Sequence, residues 1–182
     1  MDAFNNLLNQ PWGAYLAPVS AYSAFLRQGV FPIDVAAPYC KQSIRTRCQI
    51  DSPQGVLTLS VPVEKMPAST PLSEVRISDH GSWRHQHWNA LCSSYRQSPF
   101  FDYYADELAV FYEKKWEFLV DYNTALHLLI CDLMDFKGVR QLSPPPIASS
   151  YYQVFAHRHG FLPDLSILDL LFNQGPEAVL YL

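Results

Sequence analysis

The sequence predicts an α+β protein in which a small antiparallel sheet from the first half packs against a bundle of about three longer helices. Two observations carry this prediction. Between positions 43 and 63, apolar and polar residues alternate on both sides of a turn-forming stretch, which is typical of a β-hairpin. After position 82, apolar residues recur every three or four positions through three long segments, which is the period of an amphipathic helix.

The first half of the chain is predicted to hold one helix and three strands. Within the segment 15–27, Pro18 and Ser20 suit the entry to a helix of two to three turns that ends at Gly29. A turn-forming segment at 51–55 joins the first two strands. The predicted strands are 43–50, 55–63 and 74–78.

The second half is predicted to be mainly helical, with long helices at 82–97, 99 or 100 to 115, and 118–136. Pro99 separates the first two helices because its ring cannot continue one, and Gly138 suits the end of the third. After the proline run 144–146, we expect a strand at 151–155 and a helix from 164 or 166 to Gly175. The last residues are apolar, so we expect them to pack on the core.

The composition predicts one domain with a partly covered surface. A chain of 182 residues suits a single domain spanning 1–182. Charged residues make up 16%, below the roughly 25% typical of soluble domains, and aromatic residues make up 14%. We therefore expect part of the surface to be covered by a partner, such as a second copy in a homo-oligomer, or folded around a pocket for a small-molecule substrate.

Charge and cysteine usage exclude several classes of protein. The net charge of −4 and the pI near 5.8 argue against binding to nucleic acid or to an anionic membrane surface. The four cysteines form no C-x-x-C pair, which is typical of reduced structural thiols. The sequence shows no basic leader and no apolar run of membrane-spanning length, so we expect a cytoplasmic protein without membrane insertion.

The segment 82–101 concentrates ionisable and aromatic side chains on one predicted helix. Trp83, His87, Leu91 and Tyr95 follow one another at four-residue spacing and therefore share one helix face. Because imidazole titrates near neutral pH, His87 is predicted to be a catalytic general base, and Tyr95 is predicted to line the same pocket. The alternative is a buried helix histidine that is hydrogen-bonded within the core.

Metal and thiol chemistry are less favoured on this helix. His85 and His87 diverge by about 200° on a helix and cannot easily share an ion, so we predict no metal site. Cys92 also points away from His87, which disfavours a nucleophilic thiol there. The sequence has neither a Walker-type loop nor G-x-G-x-x-G, and we expect no cofactor.

Two further clusters are candidates for substrate binding. Lys41, Arg45 and Arg47 precede a predicted strand, and such a cluster suits the phosphate or carboxylate of an anionic sugar or acyl donor. Asp169 and Asn173 lie one helical turn apart, so both side chains can face one polar spot. A solvated helix face, with Asn173 near the helix end, is the alternative for this second pair.

The order of several blocks along the chain resembles the WbqC-like proteins of bacteria, whose genes are often found among those for O-antigen and other surface polysaccharides. The blocks are Tyr15-Leu16-x-Pro18, Tyr39-x-Lys41-Gln42-Ser43, Leu57-Thr58-x-x-Val61-Pro62-Val63, Trp83-x-x-x-His87, Tyr95-x-x-Ser98-Pro99-Phe100-Phe101, Tyr152-Gln153-Val154-Phe155 and Gly160-Phe161-x-Pro163, continuing to Gly175-Pro176. Two features depart from many relatives: Arg45-Thr46-Arg47 replaces an Asn-Arg pair, and the segment 143–150 is short.

The resemblance implies an enzyme that transfers an acyl or aminoacyl group in surface-polysaccharide or small-molecule biosynthesis. It also implies that Tyr15 and Gln153, which lie in matching blocks, contribute to substrate binding. The alternative is a non-catalytic binding or assembly protein that uses an aromatic surface.

Overall fold

The computed structural model of the chain describes residues 10–29, 31–136 and 150–182. Most of the regular structure there is helical, and a two-stranded antiparallel sheet lies in the first half. The predicted α+β class is therefore confirmed. No helix within these ranges is long and apolar enough to cross a membrane. The predicted helix end at Gly138 and the proline run 144–146 lie outside the described residues.

The sheet is a β-hairpin of β1 (Arg47–Ile50) and β2 (Leu57–Ser60). Both strands lie within the predicted stretches. Cys48 and Leu59 stand opposite each other and are buried, so they define the inner face of the hairpin. The outer face carries two other opposed pairs, Arg47 with Ser60 and Gln49 with Thr58.

The prediction of a third strand at 74–78 is wrong. Its beginning belongs to a 3₁₀ helix, Leu72–Glu74. The extended backbone that follows makes only isolated bridges, one to Val63 and one to Phe118. A continuous ladder does not form because the two bridges go to different parts of the chain.

The four longest helices each bury one face in the core; they are α1 (Val19–Gln28), α2 (Trp83–Tyr95), α3 (Phe101–Glu113) and α4 (Leu119–Leu133). The first begins after Pro18, its N-cap, and ends at Gly29, whose φ of 65° is left-handed; both ends agree with the prediction. The three long helices predicted for the second half are confirmed.

The C-terminal part contains α5 (Ala156–His159), α6 (Ile167–Gln174) and a 3₁₀ helix, Gly175–Tyr181. The prediction of a strand at 151–155 is wrong. The side-chain amide of Gln153 donates to the carbonyl of Leu162 at 2.8 Å and accepts from its N–H at 2.8 Å. The side chain, rather than a neighbouring strand, therefore holds this segment in place.

The last predicted helix is confirmed as α6, and it is the most deeply buried. Residues 167–173 are all buried, and the hydroxyl of Ser166 accepts the N–H of Leu168 at 3.3 Å as a helix cap. The helix ends at Gly175, where an added Cβ would lie 2.5 Å from the ring of Phe100. Only glycine fits this close approach without displacing the ring.

The apolar C-terminal end packs on the core, as predicted. Leu182 is 2% exposed. Its carbonyl oxygen accepts from the Ser23 hydroxyl at 2.7 Å and from Nε of Arg27 at 2.5 Å. Both donors belong to α1, so Leu182 is held against this helix.

Candidate functional site

His87 lies in a buried hydroxyl network. Its Nδ1 is 3.0 Å from the hydroxyl of Tyr15, which in turn is 3.1 Å from the hydroxyl of Tyr112. All three residues are buried, and 6% of His87 is exposed. The ring of Trp83 packs edge-on against the imidazole. This arrangement matches the alternative of a buried, hydrogen-bonded helix histidine, and it places the predicted substrate-binding Tyr15 in the core.

The His87 network carries no charge near neutral pH. Burial lowers the pKa of His87 to about 4, and a hydrogen bond with the backbone of Ser60 opposes this shift. Burial also raises the pKa of Tyr15 and of Tyr112, so both phenols keep their protons. The imidazole is therefore neutral, and the network contributes hydrogen bonds rather than ion pairs.

Tyr95 belongs to a different network. It shares a face of α2 with His87 but lies about 12 Å further along the helix axis. Its hydroxyl accepts the N–H of Asp51 at 3.0 Å and also bonds the carboxyl group of Asp169. Because Tyr95 is fully buried, it does not line an open pocket with His87.

Asp169 is the centre of this second network. Its Oδ2 accepts from the Tyr151 hydroxyl at 2.7 Å and from Nε2 of Gln153 at 2.8 Å. Nδ2 of Asn173 donates to the Asp169 carbonyl at 2.7 Å. The structure therefore brings together the predicted Gln153, Asp169 and Asn173, in a buried network that fastens α6 to the segment before α5.

The carboxyl group of Asp169 has a raised pKa. Burial raises the pKa of Asp169 to about 6, and hydrogen bonds from Tyr151, Gln153 and Tyr95 limit the rise. A carboxyl group with a perturbed pKa is a common mark of functional sites, but structural networks show it as well.

Asp51 is a second buried carboxyl group beside Tyr95. It is 0% exposed, and burial raises its pKa while the charge of His159 opposes the rise. Nε2 of His159 lies 3.0 Å from Asp51 Oδ1, which is ion-pair distance. The two carboxyl groups and His159 thus connect the hairpin turn to the C-terminal part of the chain.

An open groove of about 540 Å³ lies beside the hairpin. Lys41, Arg47 and Lys65 line it, together with Tyr39 and the carboxylate of Glu64, among other residues. The groove therefore carries three cationic side chains and one anionic side chain, in a chain whose net charge is −4. Two of the three predicted basic residues, Lys41 and Arg47, come together here.

The three groove cations lack side-chain partners within the described part of the chain. Among residues 10–29, 31–136 and 150–182, the side chains of Lys41, Arg47 and Lys65 form no ion pair, hydrogen bond or ring contact, whereas Arg76 pairs with Glu117 and Lys115 with Asp79. Unpaired cations on a concave surface are free to bind an anion.

Arg45 does not line this groove. Its Nη1 lies 3.4 Å from the hydroxyl of Ser43, and its carbonyl accepts from Nδ2 of Asn123 at 3.0 Å. The Arg45 carbonyl therefore faces α4, whereas the side chain of Arg47, the first residue of β1, lies on the outer face of the hairpin. The predicted cluster of three cations is therefore divided.

Several residues of these sites were not predicted. Lys65 follows the second predicted strand, Asp51 sits in a polar turn, and nothing in their local sequence marks a groove or a buried carboxyl group. Tyr112 did carry a signal, because it continues the four-residue spacing of Tyr104 and Leu108 on α3. Among the described residues, no group of three or more His, Cys, Asp or Glu could hold a metal ion.

Comparison with known proteins agrees with the resemblance. The sequence profile of the WbqC-like protein family matches residues 11–144. The chain belongs to this family. It is 28% identical over 220 aligned residues to the uncharacterized protein Rv1507c of Mycobacterium tuberculosis, with 94% of this chain and 93% of that protein covered. No solved structure matches the chain.

The family match covers one of the two buried networks and the groove. Residues 11–144 include Lys41, Arg47, Lys65 and His87. Asp169 lies beyond the matched range, although the relative from Mycobacterium tuberculosis aligns with nearly the whole chain.

Proposed function

We propose that the chain is an enzyme that binds an anionic small molecule in the basic groove and transfers an acyl or aminoacyl group in surface-polysaccharide or small-molecule biosynthesis. The observation that carries the proposal is the groove itself, where Lys41, Arg47 and Lys65 line one concave surface and pair with no other side chain in the described part of the chain. The resemblance to bacterial surface-polysaccharide proteins supports the type of reaction.

The groove suits a ligand with a phosphate or carboxylate group. Its volume of about 540 Å³ lies within the range of small-molecule sites, roughly 300 to 1,000 Å³. The guanidinium of Arg47 can hold two oxygens of such a group at once, and the two lysines add positive charge.

The transfer step needs a base in reach of the groove. The acceptor's nitrogen or oxygen attacks the acyl carbon of an activated donor, such as a thioester or an acyl phosphate. The bond to the leaving group breaks and takes its electron pair with it, and the acceptor's proton passes to a base. Glu64 is the carboxylate that lines the groove, and we assign it this role.

The predicted catalytic roles of His87 and Tyr95 stay predictions. A general base must lie within hydrogen-bonding distance of the proton it takes, and the group at that distance from His87 Nδ1 is the Tyr15 hydroxyl. His87 is 6% exposed and bonds the backbone of Ser60, so its link to the groove runs through the backbone of one lining residue.

The alternative of an aromatic docking surface finds less support. Fourteen of the 25 aromatic residues that the structure describes are buried, among them Trp12, Tyr15, Tyr22 and Tyr122. They stabilise the core, and they are not available to a partner.

Calorimetric titration of acetyl phosphate, acetyl-CoA and UDP-N-acetylglucosamine tests the proposal. At least one of these anions should bind the wild-type protein, and Arg47→Ala with Lys65→Ala should weaken that binding at least tenfold. Arg96→Ala is the matched control, because Arg96 is exposed and lies outside the groove. If none of the three anions binds, or if the control weakens binding as much as the groove variant does, the proposal is wrong.

The catalytic assignment has its own test. With a donor that binds and an amino sugar as acceptor, mass spectrometry of the product measures acyl transfer. Glu64→Gln should lower the transfer rate at least a hundredfold while leaving the donor affinity within threefold of wild type. Equal rates for the variant and the wild type would remove Glu64 from the mechanism.

A further inference from the structure

A second depression adjoins the basic groove along the hairpin. Its volume is about 370 Å³, and Arg47 and Gln42 line both depressions. The paired strands explain the arrangement. Ser60, opposite Arg47, lines the groove, whereas Gln49 and Thr58, the next pair on the same outer face, line the second depression. The two depressions therefore follow one face of the hairpin, and Arg47 stands where they meet.

The second depression is built for a hydroxylated ligand. Gln42 and Gln49 present amide groups, Thr58 presents a hydroxyl, and Ile44 adds an apolar wall that is 37% exposed. A plain hydrocarbon chain placed here would leave the amide and hydroxyl groups without partners, which costs free energy. A sugar offers donors and acceptors together with an apolar ring face.

Asp164 determines which end of a ligand suits the second depression. It lines the second depression, and its carboxylate is fixed by the N–H of Ser20 at 2.8 Å and by the Ser20 hydroxyl at 3.0 Å. Each carboxylate oxygen can accept a further hydrogen bond, so Asp164 suits a sugar hydroxyl. The same negative charge repels a phosphate, and Arg47, the cation that lines this depression, also lines the groove that holds Lys41.

We infer that the two depressions together bind a glycosyl phosphate, with the phosphate at Lys41, Arg47 and Lys65 and the sugar over Gln49 and Thr58. This assignment rests on the proposed function, because the phosphate is the anionic group that the groove cations hold. It makes the sugar-linked substrate, rather than the acyl donor, the ligand of the hairpin face.

Calorimetric titration with inorganic phosphate, glucose, glucose 1-phosphate and N-acetylglucosamine 1-phosphate tests the inference. At least one sugar phosphate should bind ten times more tightly than inorganic phosphate, while free glucose should show no binding at millimolar concentration. The double variant Gln49→Leu with Thr58→Val should reduce the sugar phosphate to the affinity of inorganic phosphate. Both residues are exposed, so these substitutions leave the core intact.

The controls separate this inference from the function on which it rests. Gln97→Leu, an exposed glutamine at the end of α2, should leave both affinities within twofold of wild type. Lys65→Ala should weaken phosphate and sugar phosphate by the same factor. If phosphate binds in an Arg47-dependent way but no sugar phosphate gains affinity, the inference is wrong and the anion groove stands. If no anion binds at all, both are wrong.

Discussion

The inner face of α2 and the outer face of the hairpin differ in how their polar groups are satisfied. On α2, His87 and Tyr95 are buried and hydrogen-bonded to tyrosine, backbone and carboxyl partners. On the hairpin, Arg47 is open to a groove and has no partner among the described residues. The residues that the sequence marks as catalytic candidates are thus engaged in hydrogen bonds within the core. The side chain that is available to a ligand, Arg47, lies on the hairpin.

The largest effect is expected from Asp169→Ala. This substitution leaves the Tyr151 hydroxyl and one N–H of the Gln153 amide buried without their Asp169 acceptor, and it should lower the free energy of unfolding by about 3 kcal/mol or more. Urea denaturation measures the change. Asp106→Ala, on the exposed side of α3, is the control and should stay within about 0.5 kcal/mol of wild type. A similar small change for Asp169→Ala would contradict the structural role given to the network.

The pH dependence of stability should separate the two buried networks. The folded pKa of His87, about 4, lies below its ordinary value of 6.5, so His87 makes stability rise with pH across that window. The folded pKa of Asp169, about 6, lies above its ordinary value of 3.8, so Asp169 makes stability fall with rising pH between those values. Each full effect is about 3 kcal/mol.

Urea titrations at pH values from 4 to 6.5 measure both contributions. Compared with wild type, His87→Gln should show a smaller rise in stability with pH, and Asp169→Asn should show a larger one. His127, whose pKa burial lowers to about 3, also contributes a rise with pH and remains in both variants. Parallel curves for all three proteins would mean that neither group is desolvated as described.

Tyr15→Phe should have an intermediate effect. The change removes the hydroxyl that lies 3.0 Å from His87 and 3.1 Å from the Tyr112 hydroxyl, while the ring keeps its packing. Loss of these bonds should cost about 1 to 2 kcal/mol. Thermal unfolding measures the cost, and Tyr103→Phe, on a residue that is 76% exposed, serves as the control. A Tyr15→Phe protein as stable as its control would show that the hydroxyl network adds no stability.

Groove substitutions should affect stability least. Lys41→Ala, Arg47→Ala and Lys65→Ala each remove a side chain without an ion pair among the described residues, so each should change the unfolding free energy by less than about 0.5 kcal/mol. A loss of several kcal/mol, measured by urea denaturation, would show that Arg47 is a structural residue rather than a binding residue.

The helices were predictable because their periodic pattern reflects burial of one face. α2 to α4 follow the predicted segments, and the cap at Ser166 and the end at Gly175 mark α6 in the sequence. The conformation of the segment before α5 was not predictable. Its composition is typical of a strand, but the backbone of Leu162 pairs with the Gln153 side chain and not with a neighbouring strand.

The candidate site was predictable only in part. The four-residue spacing placed His87 and Tyr95 on one inward face, but the same spacing describes a pocket wall and a core. The sequence shows that Lys41, Arg45 and Arg47 lie close together along the chain. That Arg45 faces elsewhere and that Lys65 joins the groove depends on tertiary structure. Burial of Asp51 inside a polar turn has no local signal at all.

The affinity for inorganic pyrophosphate, compared between Arg47→Ala and His87→Gln, tests the central claim most directly. If the hairpin groove is the binding site, Arg47→Ala should weaken binding at least tenfold, whereas a folded His87→Gln protein should stay within threefold of wild type. Binding that is lost in His87→Gln and retained in Arg47→Ala would place the site at α2 and contradict the assignment to the groove.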